Sequence, residues 1–296
     1  MPADYAVTLT FDHASLVAQS KAAAGGEDLR VVRRVGSNWA EVDRIPAEGS
    51  GWNRSSTTIL FRAPDALGPN AVSSSYYLYF GCASPGAPPA DPAKVFWYFS
   101  DFSSLDALGD WSVRDVDEIS EWSIREGVLF QSRNAEQEST LPYVNSKLVL
   151  TARPPVRDLS VAFDFYPLDN DLTAVGLCSD DSSPEGFYLA ASRDRWFDGD
   201  DQGSQVGYWA GPTDTDSRPI PYPIERWHHV DLRWDADGIS FLLGGEQAGW
   251  ASGPGAAGFF CFALNAMEGV RFDNLTLRRY VPAEPGVGLG SEESRP

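Results

Sequence analysis

The sequence predicts an all-β protein with two successive β domains, and three observations support this fold class. Short runs that alternate polar and apolar residues recur about every 8–12 residues, as in antiparallel sandwiches and barrels. Helical periodicity is confined to HASLVAQSKAA, residues 13–23, which a glycine pair follows as a stop signal. A proline-rich segment separates a first series of strands from a longer second one.

The first series of strands predicts a small N-terminal β-sandwich domain over residues 1–82. Each run alternates as a half-buried antiparallel strand does. The predicted strands are YAVTLTF, DLRVVRRV, AEVDRIP, STTILFRAP and SYYLYFG.

Residues 83–94 form the predicted linker, which contains Pro85, Pro88, Pro89 and Pro92. Proline has no N–H for a β-ladder, so no central strand runs through this segment. A proline-rich linker is semi-rigid, and we expect it to hold the two modules apart.

The second series predicts a jelly roll over residues 95–282. It contains about eleven strand-like runs, which suits two packed sheets. Asp237-Gly238 lies between two alternating runs and is a strong hairpin signal, and LLGGEQ indicates a strand that ends in a tight glycine turn. Residues 283–296 are rich in Pro, Gly and acidic residues and predict an extended tail.

The net charge of −19 limits the classes of partner. Such a charge repels the phosphates of nucleic acids and anionic membrane surfaces, so neither is an expected partner. Lysine occurs only at positions 21, 94 and 147. An acid-rich, lysine-poor surface suits a halophilic setting, where about 1 M salt shortens the Debye length to about 3 Å. An ordinary acidic protein from a GC-rich genome is the alternative.

No apolar run approaches the roughly 18 residues of a membrane span, so we expect no membrane insertion. The N-terminus, MPADYAVTLTFDHASLV, does not resemble a signal peptide. Either a leader has been removed, or the protein reaches its place of work without secretion. Cys82, Cys178 and Cys261 form no disulfide framework by their spacing, and we expect Cys178 and Cys261 to be buried small hydrophobic residues.

RWHHVDLRWDADGISFLLGG, residues 226–245, resembles the signature hairpin of laminin-G-like, concanavalin A-like jelly rolls. SDFSSLDALGDWSV and WSIREGVLFQS resemble the opening of that superfamily, and GVRFDNLTLRR resembles its last strand. The resemblance covers residues 95–281 and implies a lectin-like fold.

The first 94 residues resemble a bacterial and archaeal domain family of unknown function that commonly precedes such jelly rolls. The stretches that carry this resemblance are GEDLRVV, STTILFRAP and YYLYFGCAS. This family has no assigned activity, so the resemblance implies a tandem architecture and no chemistry.

The jelly-roll resemblance also implies a calcium site, because many such modules bind calcium where the first and last strands meet. Asp101 and Asp273 lie where it places oxygen ligands, of which calcium takes six to eight. Alternatively, both acids simply end or cap strands at the surface. A second acidic stretch, residues 192–204, lacks the spacing of a calcium loop and is interpreted as solvated loop residues.

The sequence predicts that the protein is not an enzyme. Laminarinase-type hydrolases of this fold carry a Glu-x-Asp-x-x-Glu strand, which is missing here. The acids in RDVDEISEW, which are Asp115, Asp117, Glu118 and Glu121, have a different order and suggest a solvated turn. A glycoside hydrolase is the less favoured alternative.

Aromatic residues near predicted loops are the candidate ligand-binding set. Aromatic rings offer flat apolar surfaces with a polar handle, which suit the C–H faces of sugars. The candidates are Trp196, Tyr208, Trp209 and Tyr222. Five tryptophans in strand patterns are expected in the core, namely Trp97, Trp111, Trp122, Trp227 and Trp234.

These observations predict a non-catalytic surface binding or adhesion protein that recognises a host glycan or glycoprotein. A virion surface component, such as a tail fibre, turret or head decoration, needs no leader because lysis releases it. A homo-oligomer or larger assembly is then expected, at the virion surface or in an extracellular or cell-surface setting. The alternative is a cell-surface structural or adhesin module without glycan binding.

Overall fold

A computed structural model of the protein describes residues 1–115, 121–132, 146–168, 172–178, 186–192, 205–210, 213–219, 225–234, 238–252, 257–265 and 269–293. The chain forms two compact units, unit 1 (Met1–Phe99 with Val281–Pro296) and unit 2 (Ser100–Tyr280). Both consist mainly of antiparallel strands, which confirms the predicted all-β class. The sequence-based boundaries, by contrast, lie at 82, 94 and 282.

Unit 1 contains two three-stranded sheets, in the orders β1-β5-β4 and β3-β2-β6. Its elements are β1 (Tyr5–Phe11), α1 (His13–Ala18), β2 (Arg30–Val35), β3 (Asn38–Val42), β4 (Arg44–Pro46), β5 (Thr57–Ala63), β6 (Tyr76–Tyr79) and α2 (Pro92–Val95). The strand β7 (Tyr98–Ser100) follows α2 in the chain.

Alternation along β1 and β5 builds the core of unit 1. The two strands pair antiparallel from Tyr5 opposite Ala63 to Phe11 opposite Thr57. Their inward side chains join Leu29 and Val31 in one buried cluster, and Val31 comes from the other sheet. The two sheets therefore share a core, as the prediction of a small β-sandwich requires.

The predicted helix at residues 13–23 is present but shorter, since α1 ends at Ala18. The carboxylate of Asp12 caps it by accepting a hydrogen bond from the Ser15 N–H at 2.9 Å. Among the described residues, no helix has the length and apolar character needed to span a membrane.

The proline-rich segment lies within unit 1 and contacts its sheet. The backbone N–H of Arg44 donates to the Pro89 carbonyl at 3.1 Å, and the Arg62 guanidinium donates to the Ala93 carbonyl at 2.8 Å. Proline is well placed in the first turn of α2, where a helix needs no N–H donor. These contacts attach the segment to β4 and β5.

The end of the chain also contacts unit 1. Val281 packs against the unit 1 core, and Lys21 Nζ forms an ion pair with Glu292 at 2.6 Å. The Tyr5 hydroxyl donates a hydrogen bond to the Glu284 carboxylate. No helix or strand follows Tyr280 in the described part of the chain.

Unit 2 is a sandwich of two large sheets. Sheet A has the strand order β19-β18-β17-β12-β21-β10-β9, and sheet B has the order β16-β15-β14-β13-β20-β11-β8. A 3₁₀ helix (Leu105–Asp110) precedes the strands β8 (Trp111–Asp115), β9 (Trp122–Arg125), β10 (Val128–Gln131), β11 (Ser146–Leu150), β12 (Leu159–Pro167), β13 (Leu172–Cys178), β14 (Gly186–Ser192), β15 (Gln205–Ala210), β16 (Thr213–Pro219), β17 (His228–Trp234), β18 (Gly238–Leu243), β19 (Glu246–Ser252), β20 (Phe259–Asn265) and β21 (Val270–Arg279).

An aromatic cluster fills the space between the two sheets. Phe163 and Phe272 point inward from sheet A, and Phe262 points inward from sheet B. The Phe262 and Phe272 rings stack at 4.2 Å, and the Phe163 and Phe262 rings meet edge to face at 5.3 Å. Such ring pairs add about 0.5–1.5 kcal/mol each beyond area burial. These contacts hold the sheets together and confirm the two-sheet jelly roll.

Both predicted turns of unit 2 connect paired strands. β17 pairs with β18 from Val230 opposite Leu243 to Trp234 opposite Ile239, which confirms the hairpin predicted at Asp237-Gly238. Gly244 and Gly245 join β18 to β19 with φ angles of 59° and 84°. Two consecutive positive φ angles match a type I′ turn, which glycine adopts without a steric penalty.

The cysteines differ from expectation. Cys261 is fully buried, as predicted, but it is disulfide-bonded, whereas Cys82 is free and exposed. The interpretation of Cys261 as an unbonded hydrophobic residue is therefore wrong. Sequence spacing missed the bond because the strands around Cys261 are paired by the fold and lie far apart in the chain. Disulfides persist mainly in oxidising compartments.

Candidate functional site: the outer face of sheet A

The alternation along β12, a strand in the interior of sheet A, determines which side chains form the outer face of the sheet. Phe163 and Phe165 point into the core and are fully buried, so Asp164 and Tyr166 point to the opposite, outer side. In the neighbouring strands, Asp164 lies opposite His229 and Asp273. The outer face therefore presents cross-strand rows of side chains from β10, β12, β17 and β21.

One of these rows is aromatic, and we define the aromatic row as Trp227, Tyr166, Arg271 and Phe130. The rings of Trp227 and Tyr166 meet edge to face at 5.5 Å. The Arg271 guanidinium lies 5.3 Å from the Tyr166 ring centroid and 5.7 Å from that of Phe130. Cation–π contacts of this kind fix the arginine between the two rings. Trp227 is 46% exposed and leaves the most open ring of the row.

The adjacent row is polar and centres on Asp164. His229 Nδ1 lies 2.7 Å from Asp164 Oδ1, and the side-chain amide of Asn274 donates to Asp164 Oδ2 at 2.8 Å. Asn274 has a φ of 52°, and the β12–β21 register shifts beside it, between Ala162 and Asp164. This bulge places the Asn274 amide against Asp164, and bulges often redirect a side chain in this way.

Asp101, Asp164 and Asp273 form the acidic cluster of this face. Burial raises the pKa of Asp273, and the negative charges of Asp164 and Asp101 raise it further, against a hydrogen bond from the Asn274 N–H. The pKa of Asp101 is lowered, because the Ser103 hydroxyl and N–H donate to its Oδ1 at 2.7 and 3.1 Å. Asp273 is therefore the member of the cluster whose ionisation is opposed by its surroundings.

The structure brings the predicted metal ligands Asp101 and Asp273 near one another, since the charge of Asp101 acts on Asp273. Within the described residues, however, no three His, Cys, Asp or Glu side chains are placed to hold a metal ion. One oxygen of Asp101 already accepts two hydrogen bonds from Ser103. Calcium ligation by Asp101 and Asp273 therefore stays a prediction from the resemblance.

The predicted aromatic ligand set is only partly described. Trp196 and Tyr222 are outside the described residues. Tyr208 and Trp209 lie in β15, between β14 and β16 of sheet B, and only their backbone is described. The proposed role of these four residues therefore stays a prediction.

The alternative catalytic carboxylates are also only partly described. Asp115 ends β8, and Asp117 and Glu118 lie outside the described residues. Glu121 is exposed, with its Oε2 3.9 Å from an Arg125 nitrogen.

The aromatic row was not predicted from the sequence. Trp227 was expected in the core and is instead exposed, because it precedes β17 and lies outside the inward alternation of that strand. Trp97, Trp111 and Trp234 are buried as predicted, and Trp122 is half-buried. The alternation of LSVAFDFYPL did indicate that Asp164 and Tyr166 face away from the core, since it places them on the opposite side from the inward phenylalanines.

No protein-family model matches the chain, and no curated protein matches its sequence. Among solved structures, a Bacillus subtilis protein of unknown function with a galectin-like fold is 14% identical, with a TM-score of 0.49 over 62% of this chain and 96% of that one. The carbohydrate-binding module CBM66 of Bacillus subtilis is 12% identical, with a TM-score of 0.45 over 57% and 95%. The Caenorhabditis elegans galectin LEC-6 is 12% identical, with a TM-score of 0.32 over 43% and 89%. Likenesses of this degree assign neither a function nor a ligand.

The raised pKa of Asp273 predicts that Asp273→Asn stabilises unit 2 at neutral pH. The pKa of this carboxyl in the folded state lies above its ordinary value of 3.8, so its ionisation destabilises the folded state. The loss of stability therefore appears as the pH rises through the pKa of the folded state. Solvent screens the repulsion at this half-exposed position. We expect the variant to melt about 1–2 °C above the wild type at pH 7, with the difference shrinking towards pH 4.

Thermal melts should be recorded in EDTA, so that no bound cation offsets the repulsion. Glu246→Gln, which removes an exposed carboxylate from β19, is the matched control and should show no such pH-dependent gain. A lower melting temperature for Asp273→Asn at pH 7, or a difference independent of pH, would contradict the prediction.

Proposed function

We propose that the protein is a non-catalytic glycan-binding protein and that the outer face of sheet A is its binding surface. The observation that carries this proposal is the open ring of Trp227, packed against Tyr166 and one row away from the hydrogen-bonded Asp164. A sugar ring has an apolar C–H face and an edge of hydroxyl groups. It therefore suits a surface that offers an aromatic plane beside polar acceptors and donors.

The spacing on the strand supports this arrangement. Tyr166 and Asp164 are two residues apart on β12, so they lie about 6.7 Å apart along the same face. A saccharide that stacks on the open face of the Trp227 ring, with Tyr166 beside it, can thus donate hydroxyl hydrogen bonds to the acidic cluster, while Arg271 supplies N–H donors. Charged acceptors and donors form the stronger hydrogen bonds, which give such a site its selectivity.

A glycoside hydrolase is the second candidate, because Asp164 and Asp273 lie opposite each other on neighbouring strands and the pKa of Asp273 is raised. Carboxylate pairs with different environments serve as acid and base in such enzymes. Both oxygens of Asp164 are already engaged by His229 and Asn274. This engagement suits a fixed acceptor better than a nucleophile or a base, so we place binding first.

We further propose a virion surface role, with host glycan or glycoprotein as partner and a homo-oligomeric or larger assembly as its form. The buried disulfide of Cys261 supports a location exposed to an oxidising exterior, where such bonds persist. The charge of −19 supports a protein that avoids nucleic acid and keeps a solvated surface in salt.

The binding proposal predicts that Trp227→Ala weakens glycan binding at least about tenfold, because it removes the open aromatic plane. A glycan array identifies a binding sugar, and titration calorimetry then compares the variants. Val113→Ala, an equally exposed apolar position on β8 of sheet B, is the matched control and should bind like the wild type.

Two results would overturn the binding proposal. One is the absence of any binding sugar on the array, with and without calcium. The other is turnover of a bound polysaccharide that Asp273→Asn abolishes, since this outcome assigns the hydrolase function instead.

The calcium prediction has its own test. Millimolar calcium should raise the melting temperature of the wild type relative to EDTA, and Asp101→Ala should remove this increase. Ser103→Ala keeps the Asp101 carboxylate and is the matched control. Identical melting of the wild type in calcium and in EDTA would refute calcium binding.

The virion proposal predicts that the protein is a constituent of purified particles. Mass spectrometry of gradient-purified virions should detect it in proportion to the capsid proteins, and antibody should label the particle exterior. Detection in cell envelopes alone would favour the alternative, a cell-surface structural or adhesin module.

A further inference from the structure

Unit 1 has an aromatic face of its own, on the outer side of the sheet β3-β2-β6. Val31 points into the core with 2% exposure, so its neighbours Arg30 and Val32 point outward. Arg30 lies opposite Tyr79, and Val32 lies opposite Tyr77. We define the unit 1 aromatic face as Trp39, Tyr77 and Tyr79.

The three rings form one continuous surface. β3 and β6 flank β2, so their backbones are about 10 Å apart. The ring centroids of Trp39 and Tyr77 are nevertheless only 4.9 Å apart, and those of Trp39 and Tyr79 are 6.3 Å apart. The side chains therefore lean towards each other across β2. Trp39 remains 44% exposed, so the joined rings face solvent.

Arginine side chains border this surface. Arg30 is held in place by an ion pair with Glu41 at 2.6 Å and by backbone carbonyls, including that of Leu29 at 2.9 Å. Arg34 lies opposite Trp39 and is exposed. Its guanidinium has no hydrogen bond or ion pair with the described part of the chain. In a chain of net charge −19, this face offers an uncompensated cation beside an open aromatic plane.

We propose that this face is a second saccharide site and that it takes an acidic sugar, one that carries a carboxylate on its ring. The C–H face of the sugar stacks on the exposed Trp39 ring, and the Tyr77 ring, which meets Trp39 edge to face, borders it. Its carboxylate pairs with Arg34, whose planar guanidinium matches a carboxylate in a bidentate manner. A nucleic acid could also stack on the rings, but the net charge of the chain repels its phosphate backbone.

The charged side chains on the two faces favour different ligands. The outer face of sheet A carries the acidic cluster, in which Asp164 lies opposite Asp273, so the negative charges there disfavour a further carboxylate. The unit 1 aromatic face carries Arg34 instead. The second site does not depend on the proposed function of unit 2, because no residue is shared between them.

Titration with tetragalacturonate, monitored by tryptophan fluorescence and calorimetry, tests the proposal. The neutral methyl ester of the same oligosaccharide isolates the contribution of the carboxylates. The wild type should bind the acid at least about tenfold more tightly than the ester, and added salt should reduce this preference. Arg34→Gln should abolish the preference, and Trp39→Ala should abolish binding of both forms.

Control variants separate this site from unit 2. Val35→Ala removes an exposed apolar side chain next to Arg34 in the chain and should bind like the wild type. Trp227→Ala should also leave tetragalacturonate binding unchanged. Binding that is lost in Trp227→Ala, or that survives both Arg34→Gln and Trp39→Ala, would overturn the proposal. A dimer in sedimentation that Trp39→Ala dissociates would also overturn it, since a second copy would then occupy the face.

Discussion

The strict alternation of β12 is the constraint on which unit 2 depends. Its inward phenylalanines, Phe163 and Phe165, are fully buried, and Phe163 reaches across to Phe262 of the other sheet. Burial of one such side chain contributes about 1.5–3 kcal/mol. Because successive strand residues face opposite sides, the same alternation directs Asp164 and Tyr166 outward. A shift of one residue in register would exchange the core face and the outer face, so the packing and the outer rows of side chains are specified together.

The bulge of β21 interrupts the regular pairing of this sheet beside Asp164. Asn274 occupies a left-handed conformation, which asparagine tolerates better than most residues. Its side chain then holds one oxygen of Asp164 while His229 holds the other. The same region keeps Asp273 close to other carboxylates, at a cost to its ionisation. Functional sites often retain unfavourable electrostatics of this kind.

Both units carry aromatic side chains on an outer sheet face, but the charges beside the rings differ. In unit 2 the open ring of Trp227 neighbours carboxylates, whereas in unit 1 Trp39 neighbours Arg34. Aromatic planes set the general affinity for sugar rings, and the adjacent charges select among them.

The all-β class, the short helix after Asp12 and the hairpin of β17 and β18 were predictable from the sequence, because these features depend on local alternation, capping and turn chemistry. The resemblance to concanavalin A-like modules also pointed to Asp101 and Asp273. Which residues share a row, by contrast, depends on the tertiary fold. Tyr166 and Trp227, or Trp39 and Tyr77, are far apart in the chain and meet through strand pairing. The tertiary fold likewise determines the exposure of Trp227 and the disulfide of Cys261, since contacts between distant strands leave no periodic signal in a single sequence.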